Sequence, residues 1–382
     1  MKILHTSDWH VGKVLKGRSR LSEQIAVLAE IIEIAKAERP DLVLIAGDMF
    51  DTAVVAPDTT KVVTRALSAL RAAGADVIAI AGNHDNGATL DALRPWADAA
   101  GVTLRGTITQ AADHVIVGES ESGEPWRVAA LPFVSQRHAV RATEMFSLSA
   151  AEATQTYADH IARLIGTLAE TFDDGRINLV TAHLTVFGAT TGGGERDAHT
   201  IASYAVPGSV FPTGTHYVAL GHLHRRQQVP APCPVHYSGS PLAIDFGEEE
   251  NLPSVTIVEV SATSTAKTRA VPITSARRLR TVRGTVAELG RMSGDGDSWL
   301  RVYVQEAPRA GLREAVQELL PNAIDVRIDP QVLAGGAADP ARASRTGRSP
   351  AQLFDEYLTS RGHADSAVSE LFARLYDEAS ST

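Results

Sequence analysis

Lys2-Ile3-Leu4-His5-Thr6-Ser7-Asp8-Trp9-His10 is a strand-like apolar run that stops on a carboxylate and an imidazole two residues apart. Four later runs end in the same manner. Leu42 to Ala46 runs into Gly47-Asp48-Met49-Phe50-Asp51, and Val77 to Ala81 into Gly82-Asn83-His84-Asp85. Ile177 to Thr181 leads to Ala182-His183, and Tyr217 to Leu220 to Gly221-His222-Leu223-His224. Amphipathic stretches alternate with these runs, at Leu21 to Glu38, Thr59 to Ala73, Leu90 to Ala100 and Ala150 to Thr171. The alternation predicts an α/β fold with layered sheets. Two further strand patterns, Val235 to Ser238 and Val255 to Val260, follow with few helices between them and imply some antiparallel pairing.

In open α/β sheets, ligands gather beyond the carboxyl ends of the strands. Five clusters distant in sequence are therefore expected at one sheet edge. Carboxylates and imidazoles together suit divalent ions such as manganese, iron or zinc. Asp48 lies centrally, and its two oxygens can bridge a pair of ions. A lone Asp-x-His, or a lone histidine at a strand end, is more often structural than a ligand. The conjunction of five such ends in one order is what carries the metal reading.

At 382 residues the chain exceeds one ordinary core, so two or more domains are expected. Its 44% hydrophobic and 21% charged composition is that of a soluble globular protein. No apolar run approaches the length of a membrane span, and the N-terminus has no secretory pattern. The single cysteine, Cys233, excludes an intrachain disulfide and a multi-cysteine zinc site, in keeping with a reducing cytoplasm. The net charge of −9 runs against a nucleic-acid partner, although bound cations would place positive charge where a phosphate must sit. Local basic clusters occur at Lys13, Lys16, Arg18 and Arg20, and again at Arg277, Arg278, Arg280 and Arg283. They are candidates for DNA contact or, equally, solvated faces.

The pattern changes near Thr274. The expected units are a main domain at 1–275, a small α+β domain at 276–332, a linker at 333–349 and a helix pair at 350–382. The linker is rich in Ala, Gly, Pro and Arg without periodicity. The pair has apolar stripes at Leu353, Phe354, Tyr357 and Leu358, and at Val368, Leu371, Phe372, Leu375 and Tyr376. His114, His138, His160, His199, His216, His236 and His363 lack motif context and read as structural or surface residues. Gly192-Gly193-Gly194 reads as a loop bordering the site.

The five motifs resemble those of the calcineurin-like metallophosphoesterase superfamily. The resemblance implies a four-layered αββα sandwich holding two divalent ions. One ion would take Asp8, His10, Asp48 and His224, and the other Asp48, Asn83, His183 and His222. His84 would touch the scissile phosphate, Asp85 would orient His84, and Asp51 would support the ligand shell. Ile3 to Lys13, Gly17-Arg18-Ser19-Arg20, Glu23-Gln24, Ala219 to His224 and Tyr237-Ser238-Gly239-Ser240-Pro241 are similar to SbcD-type DNA exonuclease subunits. That closer resemblance implies manganese, 3′-5′ double-strand exonuclease and single-strand endonuclease activity, and a role in DNA replication, recombination and repair. It makes 276–332 a capping domain beside double-stranded DNA. It implies docking of the C-terminal stripes, Leu353, Phe354, Tyr357, Leu358, Leu371, Phe372 and Leu375, on an SMC-like ATPase, and a homodimer within a heterotetramer. Leu67, Leu70, Leu90, Leu93 and Trp96 are candidates for the dimer face. No G-x-x-x-x-G-K-[ST] motif occurs, so ATP dependence would have to come from that partner. The alternatives are a small-molecule metallophosphodiesterase and a scaffold without catalysis.

Overall fold

The computed structural model describes residues 1–135, 138, 157–195, 204–292, 296–335, 350–360 and 365–380. In chain order its main strands are β1 (Lys2–Thr6), β2 (Leu42–Ile45), β3 (Asp76–Ile80), β4 (Val102–Arg105), β5 (Val115–Glu119), β6 (Pro125–Leu131), β7 (Ile177–His183), β8 (Tyr217–Gly221), β9 (Gln227–Val229), β10 (Val235–Tyr237), β11 (Ser254–Ser261), β12 (Ser264–Pro272), β13 (Leu279–Gly284), β14 (Trp299–Val304) and β15 (Ala323–Ile328). They form two six-stranded sheets, ordered β12-β11-β1-β2-β3-β4 and β9-β10-β8-β7-β6-β5, and a three-stranded sheet β13-β14-β15.

The first four strands of the chain pair in parallel, and β11 joins β1 antiparallel. In the second sheet, β10, β8, β7 and β6 are parallel, with antiparallel edges at β9 and β5. Strand pleating sends neighbouring side chains to opposite faces, which explains the continuous apolar runs: both faces are covered. Ile3, Leu42 and Leu44 meet Val128, Leu179 and Ala219 between the sheets. Leu4, Val43 and Ile45 face the helices Leu21–Glu38 and Pro57–Ala72 on one outside. Val180, Val218 and Leu220 face the helix Tyr157–Ala169 on the other. This is the expected αββα sandwich.

The expected helix Leu90 to Ala100 is two helices, Gly87–Ala92 and Arg94–Ala99. Pro95 lacks an amide hydrogen and so suits a first turn rather than a helix interior. The start of the expected Ala150 to Thr171 helix lies outside the described residues, as do His199 and His363. Leu67, Leu70 and Leu90 are buried in the protein's own core, so they offer no dimer surface, and Leu93 and Trp96 pack partly against that core. His114 Nδ1 bonds the Ala130 carbonyl, His216 Nε2 that of Ala262, and His236 stacks on Tyr217, as structural histidines do.

The small unit differs from the α+β expectation. Its three strands are all parallel, joined through the helices Val286–Leu289 and Leu312–Leu319, because parallel neighbours need crossover connections. It has its own apolar core around Val302 and Val316. Leu279 and Ile324 then close against Leu15, Ala243 and Phe246 of the sandwich. Arg20, expected among the DNA contacts, is a rivet of this junction. Its buried guanidinium donates to both oxygens of Glu23 at 2.8 Å and to the Ala243 carbonyl at 3.0 Å, while Glu23 also accepts from the Trp299 indole at 2.8 Å. A guanidinium so committed does not reach a phosphate. Lys16 and Arg18 are exposed, and Lys13 reaches Asp51 at 3.2 Å.

Residues 333–335, expected in the linker, close the helix Pro330–Gly335, and 336–349 lie outside the described residues. The terminal helices are Pro350–Ser360 and Ser366–Ser380. Phe354 and Phe372 stack between them with ring centroids 4.1 Å apart. Tyr357, Leu371 and Leu375 remain about half exposed. Among the described residues, no helix is long and apolar enough to cross a membrane.

Candidate metal centre

The loops after β1 and β2 are laced together at one edge of the first sheet. Asp8, His10 and Val11 donate their backbone N–H groups to the carbonyls of Gly47, Asp48 and Met49, each at 3.0 Å. Across the sandwich, the His222 N–H reaches the Asp8 carboxylate at 3.0 Å, and His183 Nδ1 donates to the Ala46 carbonyl at 2.8 Å. All five clusters read from the sequence therefore meet at one edge.

The convergence requires unusual backbone. Asp8, His10, Asp48 and His222 have φ of 55°, 45°, 52° and 95°. They are four of the six non-glycine residues in the left-handed region among those described. Such conformations cost on the order of 1–3 kcal/mol each and persist only where the surroundings impose them. Two glycines are there for space. A Cβ on Gly82 would fall on Asp48 Oδ1, and one on Gly47, whose φ is +95°, would fall on the His183 ring.

The side chains form two half-sites about Asp48. In the first, His10 Nε2 lies 3.1 Å from His224 Nε2, and His224 Nε2 lies 4.0 Å from Asp8 Oδ1. In the second, Asn83 Oδ1 lies 2.9 Å from His183 Nε2 and 2.8 Å from His222 Nδ1. Asp48 Oδ2 is 3.8 Å from His10 Nε2 and 3.4 Å from His183 Nε2, so it faces both. Three buried triplets, Asp8–His10–His224, His10–Asp48–His84 and Asp8–Asp48–His183, hold their donor atoms within 4.8 Å of one another. Among the described residues His10 Nδ1 is buried without a hydrogen-bond partner, and two imidazole nitrogens point at each other. A donor set of this kind fits divalent cations.

The electrostatics agree. Burial pushes the Asp8 carboxyl up to about 6, with Asp48 adding to it and His224 and His183 opposing. Burial opposes the charge on Asp48, but His183, His10 and His84 outweigh it and hold the carboxyl well below its ordinary range. Burial likewise disfavours charged His183 and His224, yet Asp48 lifts the first to about 9 and Glu248 the second to about 10. His10 is driven well below its usual value by burial, opposed by Asp48 and reinforced by His224. To ligate a cation, His183 and His224 would each have to give up a proton that these neighbours favour.

One assigned role changes. The Asp85 carboxylate accepts from the backbone N–H groups of Gly82 at 2.8 Å, Phe50 at 2.9 Å and Met49 at 3.3 Å. It ties the second loop to the third, where the expectation had it orienting His84. Burial and the nearby Asp48 push Asp85 up to about 7. His84 is instead held by its own N–H, which donates to Asp48 Oδ1 at 2.8 Å, and by Nδ1, which meets the Asp51 carbonyl at 2.6 Å. The Asp51 carboxylate sits 3.7 Å from His10 Nδ1, beside the first half-site.

Sequence reasoning missed several supports. Ser7 and Ser238 bond each other at 2.8 Å, and Ser240 donates to the Asp8 carbonyl at 2.8 Å. Glu248, inside the acidic run Gly247-Glu248-Glu249-Glu250, carried no signal, yet its carboxylate meets His224 Nδ1 at 2.6 Å. Glu195 gathers the N–H groups of Gly192, Gly193, Gly194 and His224 at 2.5–3.1 Å. The triple-glycine loop thus cradles a carboxylate of its own chain.

Residues 1–226 match the family model described as calcineurin-like phosphoesterase. The chain is 34% identical over 326 residues to the D subunit of nuclease SbcCD from Bacillus subtilis, covering 82% of this chain and 81% of that protein. It is 28% identical over 285 residues to the protein of the same name from Staphylococcus saprophyticus, covering 74% and 72%. Among solved structures, TT1561 of Thermus thermophilus is 12% identical with a TM-score of 0.42, over 72% of this chain and 99% of that one. The chain therefore belongs to the calcineurin-like phosphoesterase family and, within it, to the family of SbcCD nuclease D subunits.

Proposed function

We propose that this protein is the nuclease component of a two-component DNA-processing complex, hydrolysing DNA phosphodiester bonds at the Asp48-centred site. The observation that carries the reading is the meeting of three buried histidine–carboxylate triplets, linked to one another through Asp8, His10 and Asp48, in a chain of this family. Asp8, His10, Asp48 and His224 would hold one divalent ion, and Asp48, Asn83, His183 and His222 a second, with manganese as the proposed metal. When bound, the pair supplies Lewis acidity at the phosphodiester and activates a water for in-line attack.

The chain's own residues do the rest. Asp48 holds both half-sites in one register. With Nδ1 donating to the Asp51 carbonyl, His84 meets the substrate through Nε2 and, as imidazolium, delivers a proton to the leaving oxygen. Asp85 fixes the His84 loop through three backbone amides. No serine or cysteine nucleophile and no covalent intermediate are required.

Lys13, Lys16 and Arg18 are proposed contacts for duplex DNA, with the unit at 276–332 as a cap beside it. The terminal helices, whose Tyr357, Leu371 and Leu375 side chains stand about half exposed, suit docking on an SMC-like ATPase partner. A homodimer within a heterotetramer completes the proposal. The test is manganese-dependent degradation of end-labelled duplex DNA by the protein with its partner and ATP, against bis-p-nitrophenyl phosphate as a second substrate. Shortening of the duplex from its ends supports the nuclease. Cleavage of the small diester alone removes DNA as the substrate.

A further inference from the structure

His224 differs from the other ring ligands in what stands behind it. Its Nδ1 lies 2.6 Å from Glu248 Oε1, and both side chains are 1% exposed. The second carboxylate oxygen of Glu248 accepts the Ile244 N–H at 2.9 Å, so the group is anchored at both ends. The triple-glycine loop closes over the pair. A Cβ on Gly194 would fall on Glu248 Oε1, and one on Gly192 would come within 2.8 Å of the His224 Cβ. Glu195 of the same loop holds the His224 backbone N–H at 2.8 Å. By contrast, the corresponding nitrogen of His183 faces only a backbone carbonyl, that of Ala46.

A buried carboxylate with one oxygen on an imidazole and, among the described residues, no other counter-charge in hydrogen-bond contact has a specific consequence. It holds the proton on Nδ1, fixes the ring plane and leaves Nε2 as the lone-pair nitrogen, directed at His10 Nε2 and Asp8. We propose that Glu248 is a positioning residue of the centre: its carboxylate sets the tautomer and aim of His224 for the ion of the first half-site, and the Gly192–Gly194 loop seals that carboxylate from water. The proposal rests on the metal-dependent reading above. It adds a negative charge to the first half-site that the second half-site lacks, so the two ions are bound unequally.

The test is manganese titration of the full-length protein by calorimetry, for the unaltered chain, Glu248→Gln and Gly194→Ala. Gln keeps the shape and loses the charge. Ala at 194 keeps every charge and displaces the carboxylate. The unaltered chain should bind two equivalents, and each variant should weaken one of them by roughly 10- to 100-fold, the usual effect of losing a partner behind a ligand. Excess manganese should then restore turnover of labelled duplex, which a merely structural defect would not allow. A signature independent of any variant is the ring of His224 in 15N-histidine-labelled protein loaded with 113Cd: coupling is expected at Nε2 with Nδ1 still protonated. Unchanged affinity for both equivalents in both variants, or cadmium coupling at His224 Nδ1, overturns the role of Glu248 alone. Absence of any binding to the unaltered chain overturns the metal reading itself.

Discussion

The two halves of the proposed metal centre offer the same ligand chemistry on different supports. The first half-site sets His10 and His224 against buried carboxylates, Asp8 directly and Glu248 from behind. The second sets His183 and His222 about a neutral amide, Asn83, with a backbone carbonyl behind His183. Asp48 faces both halves, and Asp8 also lies near His183. The lesson is that charge is concentrated where β1 and β8 meet, whereas the second half-site depends on close backbone packing at Gly47 and Gly82. The first half is secured by electrostatics together with the close packing of Gly192 and Gly194, the second chiefly by shape.

Asp48→Asn should abolish the distinction by removing the shared charge. Volume is preserved, yet both ions should be lost in calorimetry and hydrolysis should drop to background. His84→Ala should leave the comparison intact while removing the proton donor. Turnover is expected to fall roughly 10²- to 10⁴-fold with manganese binding unchanged. Gly47→Ala aims at the half-site built on shape, because its Cβ falls on the His183 ring. It should weaken one equivalent and lower stability by about 1–3 kcal/mol, read by thermal melts of the metal-free and loaded protein.

A change of pH touches both halves. His183, raised to about 9, and His224, raised to about 10, must each give up a proton to ligate. Apparent manganese affinity should therefore rise as pH increases from neutrality toward those values, with measurable proton release. A further pH effect lies beneath the site. His5 is fully buried between the Tyr217 hydroxyl and the Leu220 carbonyl, and burial lowers it from 6.5 to about 3. The unfolded chain takes up this proton first, so stability is present above about 6.5 and is lost as pH falls toward 3. The slope in chemical denaturation should approach 1.4 kcal/mol per pH unit at most, and His5→Gln should remove its share.

The sequence announced the strands that end in ligands because both of their faces are buried. β1 and the helix Leu21–Glu38 have the bounds their apolar patterns predict. β12 escaped because it is an edge strand of alternating Ser, Thr, Lys and Arg, largely solvent-facing, with no apolar periodicity to read. β5 and β6 are likewise not predicted from the sequence, β5 being a largely exposed edge strand although β6 is mostly buried. Within the site, the spacing of the motifs named the ligand candidates. The resemblance, not the spacing, assigned Asp85 to His84, whereas three backbone amides from two loops claim that carboxylate. The spacing missed Glu248 altogether, since an acidic turn looks solvated until tertiary packing closes Gly194 over it. Arg20 failed in the same way: a basic cluster in sequence became a buried rivet in space.

The central claim is a pair of ions sharing Asp48, and anomalous scattering at the manganese edge from manganese-soaked crystals tests it most directly. The account predicts two peaks, one among Asp8, His10 and His224 and one among Asn83, His183 and His222, with Asp48 between them. A single peak, or peaks away from these side chains, would contradict it.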